Sequence, residues 1–285
     1  MKRIIFILSL ICMFPLAITT SADAPMRVHF IDVGQGDSIL IETPQKRNIL
    51  IDGGEPEAGK QLISYLKEKN IKEIDLLIAT HPDFDHIGGL NEVLAELPVN
   101  EIIDNGQPHL TRTYATYRLH IIKQLIPVNI AKENQDIAFE KNIDIQVLNA
   151  AGKTKNNNES SIVLKVSYND IDFLLMSDVE AEQEKKIAKK YDVETEVLKI
   201  AHHGSNSSSS MEFLKKAKPE AAIISYSKEN NYGHPVERVI ENLEKMNAQI
   251  YSTAVYGNIV IETDGENYII LPDMNPMEKI IQEND

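Results

Sequence analysis

The feature that most constrains this chain is a run of four metal-binding side chains directly after an apolar segment. His81, Asp83, Asp85 and His86 occur within six residues, just after residues 74–79. In an extended backbone the first three side chains point to one side, and a turn into a following helix brings His86 to the same side. Imidazole and carboxylate ligands together favour zinc, manganese or iron over calcium. The run therefore predicts a transition-metal site at the end of a strand.

The alternative interpretation is that these side chains are ordinary polar residues of a surface turn, because such residues are common in loops. At average residue frequencies, the arrangement arises by chance in about one chain per thousand or fewer. We therefore favour the metal site, and its remaining ligands are expected further along the chain.

Two further groups of candidate ligands follow predicted strands. Asp178 follows one strand, and His202 and His203 follow another. Taken alone, Asp178 is more typical of an N-cap for a helix at residues 179–191. Open sheets assemble sites at their strand ends, so the three groups together favour one metal centre. Adjacent residues of an extended strand point oppositely, so one histidine of the pair is expected to be a ligand and the other to hydrogen-bond or transfer protons.

Four other polar residues have two interpretations each. His234 precedes the last long helix, where it is either an active-site histidine or a loop residue before a helix-initiating proline. Asp32 and Asp37 flank a glycine-rich turn, and Asp52 precedes two glycines. Each of these aspartates either orients a metal ligand or serves as a turn or strand-end residue. The sequence leaves these choices open.

Strands and helices alternate along the chain, without an internal repeat or a linker rich in proline or serine. This pattern predicts one α/β domain built from two half-units. Apolar runs with β-branched residues predict strands at residues 28–33, 38–43, 48–52, 74–79, 143–148, 162–167, 172–176, 197–200, 221–225, 249–252, 258–262 and 268–271. Helical spacing of apolar residues predicts helices at residues 58–69, 90–97, 114–125, 179–191, 211–217 and 235–246.

The segment 1–22 has the order of a secretory signal. Two basic residues precede the apolar residues 4–18, and small residues follow up to Ala22. The apolar run is short for a membrane span, which needs about 20 residues, so we expect cleavage after Ala22 and a secreted domain at residues 23–285. The alternative is an uncleaved N-terminal membrane anchor. The single cysteine, Cys12, lies in this segment, so no disulfide is expected in the domain.

The balance of charge weighs against a general basic surface for nucleic acid. The chain has 43 Asp and Glu residues against 29 Lys and Arg, which gives a formal net charge of −14. An anionic substrate would therefore need a local source of positive charge, which bound metal ions would supply.

The motifs, taken together, resemble a known family. Residues 81–89 (HPDFDHIGG), Asp178 and residues 202–205 (HHGS), in that order, are similar to the metal-binding motifs of the metallo-β-lactamase superfamily. More narrowly, residues 30–41 (FIDVGQGDSILI), 51–54 (IDGG) and 232–235 (YGHP) resemble the soluble hydrolase domain of ComEC-type DNA-uptake proteins. The resemblance extends from about Arg27 to Leu271. It implies a single-domain αββα sandwich with two divalent metal ions, zinc or manganese with iron as an alternative, that hydrolyses a phosphodiester or another ester.

The resemblance also implies roles for individual residues. The implied ligands form two sites joined by one bridging carboxylate: His81 and Asp83, then Asp85 and His86, with Asp178 as the bridge and His203, or its neighbour His202, completing the second site. The implied catalytic residues are His202, His234 and Asp85.

The chain departs from the superfamily pattern at two positions. Asp83 stands where the superfamily usually has a second histidine; the ComEC-like branch favours this aspartate, which shifts the preference toward manganese or iron as much as zinc. The usual middle histidine, expected before the strand at residues 162–167, is absent, and residues 157–161 (NNESS) stand there. The first metal site therefore lacks a ligand unless Asn158 or water fills the position.

Three functions are compatible with these features. The preferred hypothesis is an exported phosphodiesterase, a nuclease that acts on extracellular DNA or nucleotides through metal-activated water. The first alternative is a phosphoesterase for a phosphorylcholine-bearing or teichoic-acid polymer of the cell envelope, whereas the HxDxDH pattern disfavours β-lactam hydrolysis. The second is a non-catalytic binding module on a degraded hydrolase fold, which only the missing histidine favours. The oligomeric state stays open.

Overall fold

The computed structural model describes residues 24–150 and 156–275. The expected signal segment, residues 1–22 with Cys12, lies outside the described residues. Within those two ranges, no helix is both long enough and apolar enough to cross a membrane.

The described residues form fourteen β-strands and eight α-helices. The strands are β1 (Met26–Phe30), β2 (Ile39–Glu42), β3 (Asn48–Ile51), β4 (Leu76–Ala79), β5 (Ile102–Asp104), β6 (Val128–Ile130), β7 (Ile143–Asn149), β8 (Val163–Tyr168), β9 (Ile171–Leu175), β10 (Val197–Lys199), β11 (Ala221–Ile224), β12 (Gln249–Ser252), β13 (Ile259–Thr263) and β14 (Tyr268–Pro272). The helices are α1 (Gly59–Glu68), α2 (Phe84–Ile87), α3 (Leu90–Glu96), α4 (Arg112–Gln124), α5 (Ala181–Lys190), α6 (Met211–Ala217), α7 (Glu237–Lys245) and α8 (Thr253–Tyr256). Short 3-10 helices lie at Pro56–Ala58, Asn158–Ser160 and Ala201–Gly204.

The strands form two mixed sheets. The first has the order β14-β13-β1-β2-β3-β4-β5-β6, and the second has the order β12-β11-β10-β9-β8-β7. Strands β3 to β6 are parallel in the first sheet, and strands β9 to β12 are parallel in the second. Each sheet therefore has a set of strands whose carboxyl ends meet at one edge.

The inner faces of the two sheets pack against each other in a central apolar core. Ile39 of β2 and Phe173 and Leu175 of β9 belong to this core. The residues beside them, Leu40 and Leu174, belong to apolar clusters on the outer faces of the two sheets. Because side chains alternate across a strand, burial of both faces requires the continuous apolar runs that the sequence contains.

Helices cover both outer faces. Leu62 of α1, Leu90 of α3 and Tyr117 of α4 pack in the cluster on the first sheet. Ile187 of α5 and Leu214 of α6 pack in the cluster on the second sheet. The layers are therefore helix, sheet, sheet and helix, and the predicted αββα sandwich is confirmed.

The sequence pattern does not predict β5 and β6, which complete one side of the first sheet. Each has three residues, and the side chains of β6 are exposed or only partly buried. Alternation over three residues is too short to distinguish from chance. The strand predicted from residue 74 begins later, at Leu76, because Ile74 forms only an isolated bridge to Val99.

Candidate metal centre

The predicted ligands converge where parallel strands of both sheets end. His81 follows β4 of the first sheet, Asp178 follows β9 of the second, and the histidine pair follows β10. The strand ends of both sheets therefore contribute to one site. We call the following seven side chains the candidate metal centre: His81, Asp83, Asp85, His86, Asp178, His202 and His203.

Asp178 lies in the middle of the candidate metal centre. Its Oδ1 atom is 3.3 Å from His86 Nε2, and its Oδ2 atom is 3.5 Å from His203 Nε2. The Nε2 atoms of His202 and His81 are 3.8 and 3.9 Å from the same Oδ2. One buried carboxylate thus faces four imidazole nitrogens.

The remaining carboxylates come from the loop into α2. Asp83 is extended at φ −71° and ψ 150°, and Asp85 and His86 lie on the helix that follows. Asp85 Oδ2 is 3.6 Å from His203 Nε2, and Asp83 Oδ2 is 3.6 Å from His81 Nε2. The turn into a helix therefore brings Asp85 and His86 toward Asp178.

The glycine-rich turn at residues 34–36 packs against the backbone of α2. Gly36 has φ +111°, and a Cβ atom on it would lie 2.0 Å from the backbone oxygen of Asp85. The Asp37 N–H donates to the same oxygen at 3.3 Å. Only glycine fits this close approach, so this part of the FIDVGQGDSILI motif holds the helix that carries two candidate ligands.

Asp52 orients His86 from the side opposite Asp178. Its carboxylate accepts hydrogen bonds from Thr80 N at 2.9 Å and Thr80 Oγ1 at 2.6 Å. Its Oδ2 also lies 2.8 Å from His86 Nδ1. A carboxylate on Nδ1 fixes the ring and leaves Nε2 as the atom that faces the metal.

The Asp52→Asn variant is expected to bind metal about 10- to 100-fold more weakly, because the charge that orients His86 is lost. Glu42→Gln is a matched control, since Glu42 Oε1 lies 2.9 Å from Nε2 of His29, a histidine outside the candidate metal centre. Competition with a fluorescent chelator measures both affinities. Equal affinities for the two variants would contradict this role of Asp52.

Lys199 is a functional candidate that the sequence analysis missed. It is fully buried in β10, and its Nζ lies 2.8 Å from Asp37 Oδ1. The same Asp37 oxygen is 3.5 Å from His203 Nδ1, which also lies 3.0 Å from the Ser225 carbonyl oxygen. The available signal was a lone cation in an otherwise apolar strand, just before the histidine pair.

The electrostatics of the cluster follow from buried charges in contact. Burial lowers the pKa of His86, but Asp178 and Asp52 outweigh it and raise the pKa well above its usual value. Burial likewise raises the pKa of Asp178, yet His86 and His203 hold it well below its usual value. Burial and the neighbouring His86 lower the pKa of His81. Without bound metal, the opposite charges of carboxylates and imidazoles at this site therefore stabilise one another.

Several buried atoms of the cluster lack a hydrogen-bond partner within the described residues. They are His81 Nε2, His86 Nε2, His203 Nε2 and Asp178 Oδ1. Three groups have donor atoms within 4.8 Å of one another: His81, His86 and Asp178; Asp85, His86 and His203; and Asp37, Asp178 and His203. Unpaired buried polar atoms are costly unless something binds them. The donor set of imidazole nitrogen and carboxylate oxygen therefore fits divalent metal ions such as zinc, manganese or iron.

The sequence pattern of the metallo-β-lactamase superfamily matches residues 31–228 of this chain. The chain belongs to the metallo-β-lactamase superfamily. Members of this superfamily typically bind divalent metals, which agrees with the donor groups described above.

Curated relatives within the superfamily include competence proteins. The chain is 32% identical over 270 residues to ComE operon protein 3 of Bacillus subtilis, which covers 87% of this chain and 34% of that protein. It is 31% identical over 234 residues to competence protein ComA of Neisseria gonorrhoeae, with 79% of this chain and 30% of that protein covered. The chain thus spans about a third of the length of these relatives.

Solved structures agree on the fold. The metallo-β-lactamase fold protein YhfI from Bacillus subtilis matches with a TM-score of 0.57 and 12% identity, covering 84% of this chain and 100% of that chain. CmlA, a diiron β-hydroxylase from Streptomyces venezuelae, matches with a TM-score of 0.57 and 11% identity, covering 85% of this chain and 54% of that chain. At these identities the likeness shows the fold alone.

The segment that replaces the superfamily's middle histidine does reach the candidate metal centre. Asn157 Nδ2 donates a hydrogen bond to Asp83 Oδ1, whereas Asn158 begins the 3-10 helix Asn158–Ser160. The amide beside the first predicted site is thus that of Asn157 and not Asn158. Asp83 lies outside the three tight donor groups, and His86 belongs to two of them. The division of ligands between two metal ions stays a prediction.

The backbone at the histidine pair differs from the extended strand that we expected. His202 has φ 51° and ψ 45°, and His203 has φ 54° and ψ 22°, both in the left-handed region. The rings therefore do not point to opposite sides, and both Nε2 atoms face Asp178. His203 is buried, while His202 is partly exposed at the mouth of the site.

Three of the choices between interpretations of aspartates are decided by geometry. Helix α5 begins at Ala181 with Glu180 as its N-cap residue, so Asp178 is not the cap. Asp32 Oδ1 accepts from Gly34 N at 3.1 Å and thus stabilises the turn, whereas Asp37 faces His203.

His234 lies at the mouth of the site beside His202. Their ring centroids are 5.6 Å apart, and the His234 ring stacks on Tyr232, also at 5.6 Å. Its Nδ1 has no hydrogen-bond partner among the described residues. Burial and the nearby His202 and His203 lower the pKa of His234, which favours the neutral ring.

Proposed function

We propose that this chain is an exported metal-dependent phosphodiesterase that cleaves DNA or nucleotides. The observation that carries the proposal is the set of unpartnered, buried nitrogen and oxygen atoms around Asp178. Two further points support it: one relative is named a competence protein, and the matching segments of both relatives span most of this chain. Export rests on the signal-like segment 1–22 alone.

The residues that would hold metal are His81, Asp83, Asp85, His86, Asp178 and His203. When bound, divalent ions supply positive charge for phosphate oxygens and lower the pKa of water to about 7. This local positive charge would compensate for the net charge of −14 when the substrate is anionic.

The chain's own contribution to the reaction lies in His202 and His234. His202 Nδ1 lies 3.2 Å from Ser207 Oγ, which directs Nε2 toward Asp178. The lowered pKa of His234, caused by burial and by the neighbouring imidazoles, keeps one nitrogen as a donor and one as an acceptor. We therefore assign both rings to the phosphate: they donate hydrogen bonds to its oxygens, and the proton that the attacking water loses is accepted by an imidazole nitrogen and passed to the leaving oxygen.

The loop that follows the histidine pair is held rigidly, which supports a positioning role. Arg238 Nη2 donates to the backbone oxygens of Asn206 at 3.1 Å and Ser208 at 2.6 Å. The buried Glu184 accepts hydrogen bonds from the N–H groups of Ser209 and Ser210. Preorganised donors cost no rearrangement during a reaction, so this loop suits a catalytic site.

The proposal is tested with purified protein loaded with Mn²⁺ or Zn²⁺. We expect cleavage of bis(p-nitrophenyl) phosphate and single-stranded DNA. Asp85→Ala should lose at least about 100-fold in rate, because it breaks the donor group of Asp85, His86 and His203. Asp170→Ala, in the exposed turn between β8 and β9, is the matched control and should retain activity. Survival of every phosphodiester, with less than one metal ion per chain, would instead support a binding module.

A further inference from the structure

We propose that a cavity beside the candidate metal centre binds an uncharged nucleobase next to the scissile phosphate and rejects a second phosphate. The inference rests on the proposed function and narrows its substrate class to short nucleotides. The cavity has a volume of about 610 Å³ and is lined by residues that follow β1, β3 and β11, by Gln61 of α1 and by Phe84 at the start of α2. This volume is within the range of small-molecule sites.

The cavity shares two walls with the candidate metal centre. Phe84 lines it and stands between Asp83 and Asp85 in the chain. Tyr232 also lines it, and the Tyr232 ring stacks on His234 with an interplanar angle of 23°. A group bound in the cavity would therefore lie adjacent to a phosphate held at the metal ligands.

The two aromatic side chains that line the cavity are open to solvent. Phe84 is 43% exposed and Tyr232 is 56% exposed, so both rings are accessible to a ligand. Exposed aromatic rings beside a phosphate-binding site are stacking surfaces for bases, because every base has a π-face. The stacking surface thus predicts a nucleobase as occupant.

The charge of the cavity excludes a second phosphate. Its walls include the carboxylates of Glu55, Glu57 and Glu229, and none of the described lining residues is cationic. None of these three carboxylates forms a salt bridge within the described part of the chain. Their negative charge is therefore not neutralised by the protein, and it repels a neighbouring phosphate but not a neutral base.

Glu55 lies close enough to Asp85 for the two charges to interact. Burial raises the pKa of the Glu55 carboxyl, and the negative charge of Asp85 raises it further. The cavity carboxylates and the metal ligands therefore share one electrostatic environment. A polynucleotide, with one phosphate per residue, would place negative charge against this wall, whereas a dinucleoside monophosphate has only its scissile phosphate.

The decisive experiment compares two substrates with the metal-loaded enzyme: the dinucleoside TpT and the same dinucleoside with phosphates at both ends, pTpTp. We expect kcat/KM to be about tenfold higher for TpT. In the Glu57→Gln/Glu229→Gln variant this ratio should fall toward one, while Glu182→Gln/Glu212→Gln, on exposed positions of α5 and α6, should keep it.

The role of the Tyr232 ring in base stacking is tested separately. Tyr232→Ala should raise KM for TpT about tenfold, and Tyr232→Phe, which keeps the ring, should restore it. Equal kcat/KM for TpT and pTpTp in the unmodified enzyme would overturn the inference and leave the phosphodiesterase intact. A preference for p-nitrophenyl phosphorylcholine over TpT would also overturn it, because the cavity would then hold a cation. Failure to cleave any diester would overturn both proposals.

Discussion

The Asp178→Ala variant is expected to lose bound transition metal and at least about 1000-fold of its kcat/KM on a phosphodiester, equivalent to about 4 kcal/mol. Asp178 faces four imidazole nitrogens at 3.3 to 3.9 Å. It also belongs to two of the three donor groups, so the substitution removes a ligand from both. No other carboxylate of the cluster lies between the ends of both sheets in this way.

Metal content by mass spectrometry of the desalted protein and initial rates on bis(p-nitrophenyl) phosphate measure these losses. Asp170→Ala controls for the removal of an aspartate, since Asp170 lies at the opposite end of β9 from Asp178. Since Asp178 is buried, circular dichroism must show that the variant folds. A folded Asp178→Ala protein with unchanged metal content would show that the ligands lie elsewhere.

The motifs and the fold were predictable because the main groups of candidate ligands follow apolar, buried strands. His81 and Asp178 end strands that are buried on both faces, and such strands are readable from composition alone. The three-residue strands β5 and β6 were not readable, because their pattern is too short. Their place in the sheet is set by pairing of β5 with β4 and of β6 with β5, contacts that local sequence does not encode.

The histidine pair shows a second limit of sequence reasoning. Alternation on an extended strand predicts opposite directions for His202 and His203, but β10 ends at Lys199 and both histidines are left-handed. Such backbone angles are uncommon for residues other than glycine and depend on the surrounding structure. The pairing of Asp37, in the turn before β2, with Lys199 of β10 is likewise a tertiary contact between residues distant in the chain.

Part of the chain's negative charge is located at the candidate metal centre. Asp37, Asp52, Asp85 and Asp178 are all in or directly beside the candidate metal centre, where they pair with imidazoles and Lys199. The net charge of −14 therefore includes a ligand set that attracts positive charge. The three carboxylates that line the cavity form no salt bridge within the described residues. Their negative charge therefore repels additional phosphates.

The buried ion pair leads to the largest expected effect on stability. Lys199→Met should lower the free energy of unfolding by about 3 kcal/mol, because it leaves the Asp37 carboxylate buried without its cation. We expect the lower end of the usual range, since His203 Nδ1 also faces Asp37 at 3.5 Å. Urea unfolding of the metal-free protein measures the change. The double variant Lys199→Met/Asp37→Asn should recover most of the loss, because both charges are then removed.

Lys165→Met is the matched control for Lys199→Met. Lys165 Nζ lies 2.8 Å from Asp172 Oδ2, the same separation as between Lys199 and Asp37, but both side chains of this pair are partly exposed. Water screens exposed pairs, so this substitution should cost less than about 1 kcal/mol. The two ion pairs have the same length, so the difference in the loss of unfolding free energy between the two variants measures the effect of burial. If Lys199→Met costs no more than Lys165→Met, Lys199 does not hold a charged Asp37 beside His203.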